Sequence, residues 1–225
     1  DRAAFLGSPK DDSVVSAQPE DVIAPAVIHR DRRAHRAGIG IFLVVLAVYS
    51  ASLRGVPRYG GYHASVARAF LQGRTCLLES PPPLHEVTEH RGCYSIPFGP
   101  MPAMVLLPLV AVVGAALREE VVSALVGAAS VSLLWFLLGR VTSDPRARWL
   151  GTVLFGFGTV FWFHAAYGSA WYFSHIVAVF FLLLALLAVL REPPRALLAG
   201  LFLGGAVLSR PPALLAVPFF LWALW

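Results

Sequence analysis

A succession of long apolar runs, joined by short polar connections, leaves this chain few ways to fold. The runs cover 37–53, 98–117, 121–138, 149–190, 196–209 and the stretch after Pro212. A helix that crosses a bilayer needs about 17–25 apolar residues, so the stretch 149–190 is long enough for two. Charged residues make up only 14% of the 225 residues, and hydrophobic ones 57%. Soluble domains carry about 25% charged residues, and this chain lacks the polar surface to coat a water-soluble globule. The expected fold is an all-α, polytopic integral membrane protein. A secreted disulfide scaffold, a disordered protein and a nucleic-acid-binding domain are excluded. The net charge of +5 does not argue for nucleic acid, because the arginines flank apolar runs rather than forming a patch.

Residues 1–36 balance acidic against basic side chains without hydrophobic periodicity and read as a disordered tail. Four arginines between His29 and Arg36 precede the first apolar run, a pattern that holds an N-terminus in the cytoplasm. No small-residue cleavage site follows, so the run from Ala37 reads as a retained anchor. A start at Asp1 and an apolar end at Trp225 suggest the N-terminal part of a longer protein. The run 98–117 decides the topology. If it does not cross, Arg140, Arg146, Arg148, Arg191 and Arg195 fall on the side of the N-terminal cluster, as the positive-inside rule favours. Pro100, Pro102 and Pro108 also favour a broken segment over a clean span. The expectation is one extracytoplasmic region over 54–120, the rest of 37–225 forming the transmembrane domain.

Within that region, 61–72 has the spacing of a short amphipathic helix, with Tyr62, Val66 and Phe70 on one face and His63, Ser65, Arg68 and Gln72 elsewhere. Gly73 suits the left-handed residue that ends it. Next comes Leu84-His85-Glu86-Val87-Thr88-Glu89-His90. On a helix this would pair His85 with Glu89 and Glu86 with His90. Such carboxylates and imidazoles suit a general base or a divalent cation, and equally a solvated, self-paired turn. Cys76 and Cys93 are the only cysteines, and either a disulfide or two free thiols fits them. His164, Tyr167, Trp171, Tyr172 and His175 collect near one helix end, with Glu119, Glu120 and Arg210 at others. Interfacial anchoring explains the aromatics, and a lipid headgroup or a phosphate suits Arg210.

The order of these features resembles the N-terminal half of C-type membrane glycosyltransferases, the branch of protein O-mannosyltransferases and lipid A aminoarabinose transferases. The resemblance covers about residues 37–225 and rests on Ala67-Arg68-Ala69-Phe70-Leu71-Gln72-Gly73 and Leu208-Ser209-Arg210-Pro211-Pro212. It implies a polyprenyl-phosphate-linked sugar as donor, membrane lipids as surroundings, and reaction at the outer face of what is expected to be a bacterial plasma membrane. The family's acidic residue before the first juxtamembrane helix is replaced here by Arg58, and its acidic-and-basic pair before the proline is absent from Tyr94-Ser95-Ile96-Pro97. Two possibilities follow. Glu86 or Glu89 takes over as catalytic carboxylate, or the scaffold serves as a transporter, flippase-like or non-catalytic envelope-assembly protein. On the enzymatic reading Arg58 and Arg210 hold the donor phosphate, Tyr62 and His175 contact substrate, and His85 and His90 hold a divalent metal ion.

Overall fold

A computed structural model describes residues 32–53, 61–79 and 87–225. It is an all-α membrane protein with one small hairpin. The helices are α1 (Arg32–Ser52), α2 (Tyr62–Leu71), α3 (Met101–Val113), α4 (Glu119–Val141), α5 (Pro145–Phe157), α6 (Val160–Tyr167), α7 (Trp171–Val189), α8 (Ala196–Ser209) and α9 (Val217–Leu224). Strands β1 (Thr88–His90) and β2 (Cys93–Ser95) lie between α2 and α3. Among the described residues, α1, α4 and α7 are long and apolar enough to cross a membrane, and α5 with α6, bent by 48°, reach that length and apolarity only as a pair. The first helix starts at Arg32 and so takes in Arg32, Arg33 and Arg36, which the sequence assigns to a tail.

The stretch 149–190 does divide near Gly168, as its composition suggests, but it breaks a second time. Gly158 closes α5, and the Thr159 hydroxyl accepts from the Phe161 N–H to start α6. Helix α1 runs against α4. Its N-terminal Ala34 carbonyl accepts from the Trp135 indole, and its Tyr49 hydroxyl donates to Gly156 O at 2.7 Å. Tyr49, Ala128, Val131, Phe161 and Ile176 pack one core between these spans. A second core joins α2 and α3 to α4 and α7 through Ala67, Leu106, Val122 and Phe173.

The bundle has two chemically distinct ends. Ala34, Trp135, Arg148, Arg140 and Leu187 meet at one, hereafter the basic end. There Arg148 donates to Trp135 O at 2.8 Å and lies 3.6 Å over the Trp135 ring, while Arg140 donates to Leu187 O. The segment 98–119 belongs to the opposite end. The Phe98 ring lies against His63, while Glu119 accepts from the next backbone N–H, that of Ala64, at 2.6 Å. The segment therefore leaves and returns at neighbouring residues of α2. Its helix, 13 residues long, reaches about 20 Å at 1.5 Å per residue, short of a hydrocarbon core of about 30 Å.

Candidate functional site

The end opposite the basic end collects the first turn of α2, the start of α4, the α6–α7 turn and the last turn of α8. Gly168 makes the α6–α7 turn possible. Its φ of +60° is one that glycine adopts without steric cost, and a Cβ there would stand 2.7 Å from Ser123 Cβ and 2.8 Å from Glu120 Cα. The tight turn brings the end of α6 and the start of α7 face to face. His164 and His175 then lie with ring centroids 5.1 Å apart, and Tyr172 packs 5.1 Å from His164. Tyr167 stacks on Phe163 at 5.4 Å and meets Tyr172 edge-on at 4.8 Å. Arg210, just past α8, is close enough for its charge to act on both imidazoles. Among the described residues it makes no ion pair with a carboxylate. The result is a guanidinium and two imidazoles in an aromatic wall.

Beside it opens a groove of about 340 Å³ lined by Ser52, Thr159, Trp162, Phe163, Ala166 and Tyr167. Phe163 and Tyr167 belong to both the groove and the wall around the histidines. A long apolar tail in the groove would thus lie next to a charged head at Arg210.

A buried polar cluster supports this end from beneath. Gly61 offers α2 no capping side chain, and Glu119 supplies the missing acceptor from α4 through Ala64 N–H. A carboxylate at a helix N-terminus is favoured by the exposed N–H groups and the helix dipole. His63, 1% exposed, points its Nε2 at Ala170 O, 2.9 Å away, with Ser174 Oγ at 3.2 Å. A carbonyl only accepts, so Nε2 carries the proton and Nδ1 does not. Burial holds this imidazole neutral and pulls its pKa down to about 4. Burial pushes the Tyr62 phenol up, and the Glu119 charge adds to that. His63 Nδ1, Glu119 Oε2 and Ser123 Oγ are buried without a hydrogen-bond partner.

The residues singled out from sequence are dispersed. Arg58, His85 and Glu86 lie outside the described residues. His175 and Arg210 come together. Tyr62 is buried at the start of α2, 2% exposed, and His63 joins it there instead of pointing away. Glu89 and His90 are exposed on β1 and are not helical. Arg91 and Gly92, with φ of 52° and 72°, form the two-residue turn that pairs His90 with Cys93. Alternation along a strand sends Glu89 and His90 to opposite faces. The helical pairing of His85 with Glu89 and of Glu86 with His90 is thus corrected. Among the described residues no three His, Cys, Asp or Glu side chains gather as a metal site. Cys76 and Cys93 form a disulfide, beside a bridge between Leu77 and Tyr94.

The sequence places His63 off the Tyr62, Val66 and Phe70 face of α2 and offers Glu119 as one outer carboxylate among several. Their roles depend on contacts 107 and 55 residues away along the chain. A Glu-Glu pair opening an apolar run signals only a helix start. Comparison with protein-family models, curated proteins and solved structures returned no match for this chain.

Proposed function

We propose that this chain handles a polyprenyl-phosphate-linked sugar, as a membrane glycosyltransferase of the C-type resemblance, at the end of the bundle that carries Arg210. The observation that carries this reading is the pair of His164 and His175, ring centroids 5.1 Å apart, within reach of the Arg210 charge, with no described carboxylate paired to the arginine. An anionic headgroup suits such a site, and a guanidinium binds phosphate in a forked geometry. The adjoining apolar groove suits the prenyl tail. On this reading the acceptor oxygen bonds to the sugar's anomeric carbon as the bond from that carbon to the phosphate oxygen breaks. Arg210 steadies the negative charge gathered on the leaving polyprenyl phosphate. A carboxylate takes the acceptor proton, and Glu86 and Glu89, on the connection from α2 to α3, are the candidates.

The reading sets the Arg210 end outside a plasma membrane and the N-terminus in the cytoplasm. The arginines support that sidedness, since Arg33, Arg36, Arg140, Arg146, Arg148, Arg191 and Arg195 all belong to the basic end. The Cys76–Cys93 disulfide supports it too, because disulfides persist in oxidising compartments. One observation favours a non-catalytic or transporting role. Of the two carboxylates that open α4, Glu119 is engaged in capping α2 and Glu120 lies 3.7 Å from Arg118.

The test is binding and transfer with a labelled polyprenyl-phosphate sugar and the protein in lipid nanodiscs. Arg210→Ala is expected to weaken binding at least tenfold, with Arg210→Lys intermediate, since losing one charge-assisted contact costs about 1.5–3 kcal/mol. Glu86→Gln with Glu89→Gln is expected to abolish transfer and leave binding intact. Binding without transfer by the unmodified protein would favour the non-catalytic reading. No binding would end the proposal.

A further inference from the structure

Gly168 is not the only residue of the α6–α7 turn with a positive φ. Ala170, the residue before α7, has φ 51° and ψ −125°. The Tyr172 N–H donates to Ser169 O at 3.0 Å, so residues 169–172 form a type II′ turn with Ala170 at its first central position. That position is ordinarily filled by glycine, because a Cβ on a residue of positive φ crowds the following carbonyl. A residue keeps such a conformation only where its surroundings over-determine it, and such residues gather at functional sites.

The group that holds it is His63. Its Nε2–H donates to Ala170 O at 2.9 Å, and the direction of this carbonyl is what the ψ of Ala170 sets. The first N–H of α7 to reach the same oxygen, that of Ser174, does so only at 3.4 Å. Ser174 Oγ lies 3.2 Å from the same imidazole nitrogen. His63 is itself fixed. Its ring packs on Phe98 and Phe173, with centroids 5.4 Å and 5.8 Å away, and the next backbone N–H, that of Ala64, is fastened to Glu119 of α4. A fixed donor thus reaches from α2 to the strained peptide that starts α7. The two site histidines stand on either side of that peptide. The His164 carbonyl accepts from the Gly168 N–H at 2.9 Å, and His175 follows Ser174 directly. Relaxation of Ala170 would rotate the start of α7 and change the 5.1 Å spacing of the two rings.

We propose that His63 is a positioning residue for the His164–His175 pair: its Nε2–H holds Ala170 in the left-handed turn that sets α7, and with it His175, opposite α6. A glycine at this position would need no such hold, so the alanine makes the geometry of the pair depend on α2. The effect on lipid-phosphate binding rests on the reading of the Arg210 end as a phosphate site. The effect on the two imidazoles does not.

The experiment is NMR of ring-labelled histidines in the whole chain in detergent, with His164→Gln and His175→Gln identifying the two signals. His63→Leu, which keeps apolar bulk without a donor, is expected to shift both. Ala170→Gly added to it is expected to bring them back, and His63→Gln, which keeps a donor near the Nε2 position, to leave them in place. Ala170→Gly alone reports even if His63→Leu fails to fold: it is expected to raise the unfolding temperature, since glycine takes a positive φ without strain. Three results would each overturn the proposal: unmoved signals in folded His63→Leu, a shift that Ala170→Gly does not restore, or an unfolding temperature that does not rise in Ala170→Gly. Farnesyl phosphate titrated into the same proteins is expected to bind His63→Leu at least about threefold more weakly, the worth of one neutral hydrogen bond, and to recover in the double variant. Absence of binding by the unmodified protein would end the phosphate reading of the Arg210 end, with the ring signals still deciding the role of His63.

Discussion

His63 illustrates how a single residue sets a condition for the fold. Its imidazole is neutral in the folded chain, with a pKa of about 4 against an ordinary 6.5. Unfolding exposes it to water, where it takes up a proton first as the pH falls. The stability it contributes is therefore complete above about pH 6.5 and is lost progressively down to about pH 4. The loss amounts to on the order of 3 kcal/mol, at 1.36 kcal/mol per pH unit. Thermal unfolding in detergent at pH 7 and pH 4 checks this, with His63→Gln as the reference that cannot titrate. Equal acid sensitivity in the two proteins would show that the proton goes elsewhere. This residue was misread from sequence for a physical reason. The α2 periodicity is carried by small residues, and Ala64, Ala67 and Ala69 are buried alongside His63. A stripe of alanines says little about which side of a helix meets the core.

At the scale of elements, α2 depends on a cap delivered from another helix. Replacing an N-cap acceptor by alanine costs about 1 kcal/mol, and the Glu119 contact is buried, so Glu119→Ala is expected to cost about 1–2 kcal/mol. Limited proteolysis within 62–72 is expected to accelerate in parallel, and Glu119→Gln, which keeps an acceptor, to recover part of both effects. Unchanged proteolysis in the alanine variant would show that α2 holds without the cap. The elements themselves were largely legible. Apolar run length marked α1, α4 and α7, and Gly73 marked the end of α2, where its φ is +71°. Prolines suggested a broken helix over 98–117, but α3 runs unbroken through Pro108 and is too short for a clean span instead. The hairpin was not legible because His85, Glu86, Glu89 and His90 invite a helical reading. Arg91-Gly92 is the contrary signal, since two left-handed residues in succession turn a strand and end a helix.

For the whole molecule, the arrangement of ends is the testable quantity. Cysteines introduced singly at Ser143 and at Glu192 are expected to react with a membrane-impermeant maleimide from one side of the membrane. One introduced at Thr88 is expected to react from the other. Cys76 and Cys93 are joined to each other and leave the background low. Labelling of Thr88→Cys and Ser143→Cys from the same side would break the assignment of 98–119 to one end. The sequence carried this much through its arginines and prolines. The helical site was legible in part: His164, His175 and Arg210 stood out as groups at helix ends, but their convergence depends on the α6–α7 turn at Gly168.

The meeting of Gly99 with α8 has a consequence for how Arg210 keeps its position. A Cβ on Gly99 would collide with the Leu208 carbonyl, two residues before that arginine. The entrance to α3 and the exit from α8 are thus fitted main chain to main chain, with no side chain as spacer. Neighbouring side chains can change in size without altering that spacing, whereas one added methyl at position 99 would force the two segments apart and carry the guanidinium away from its imidazoles.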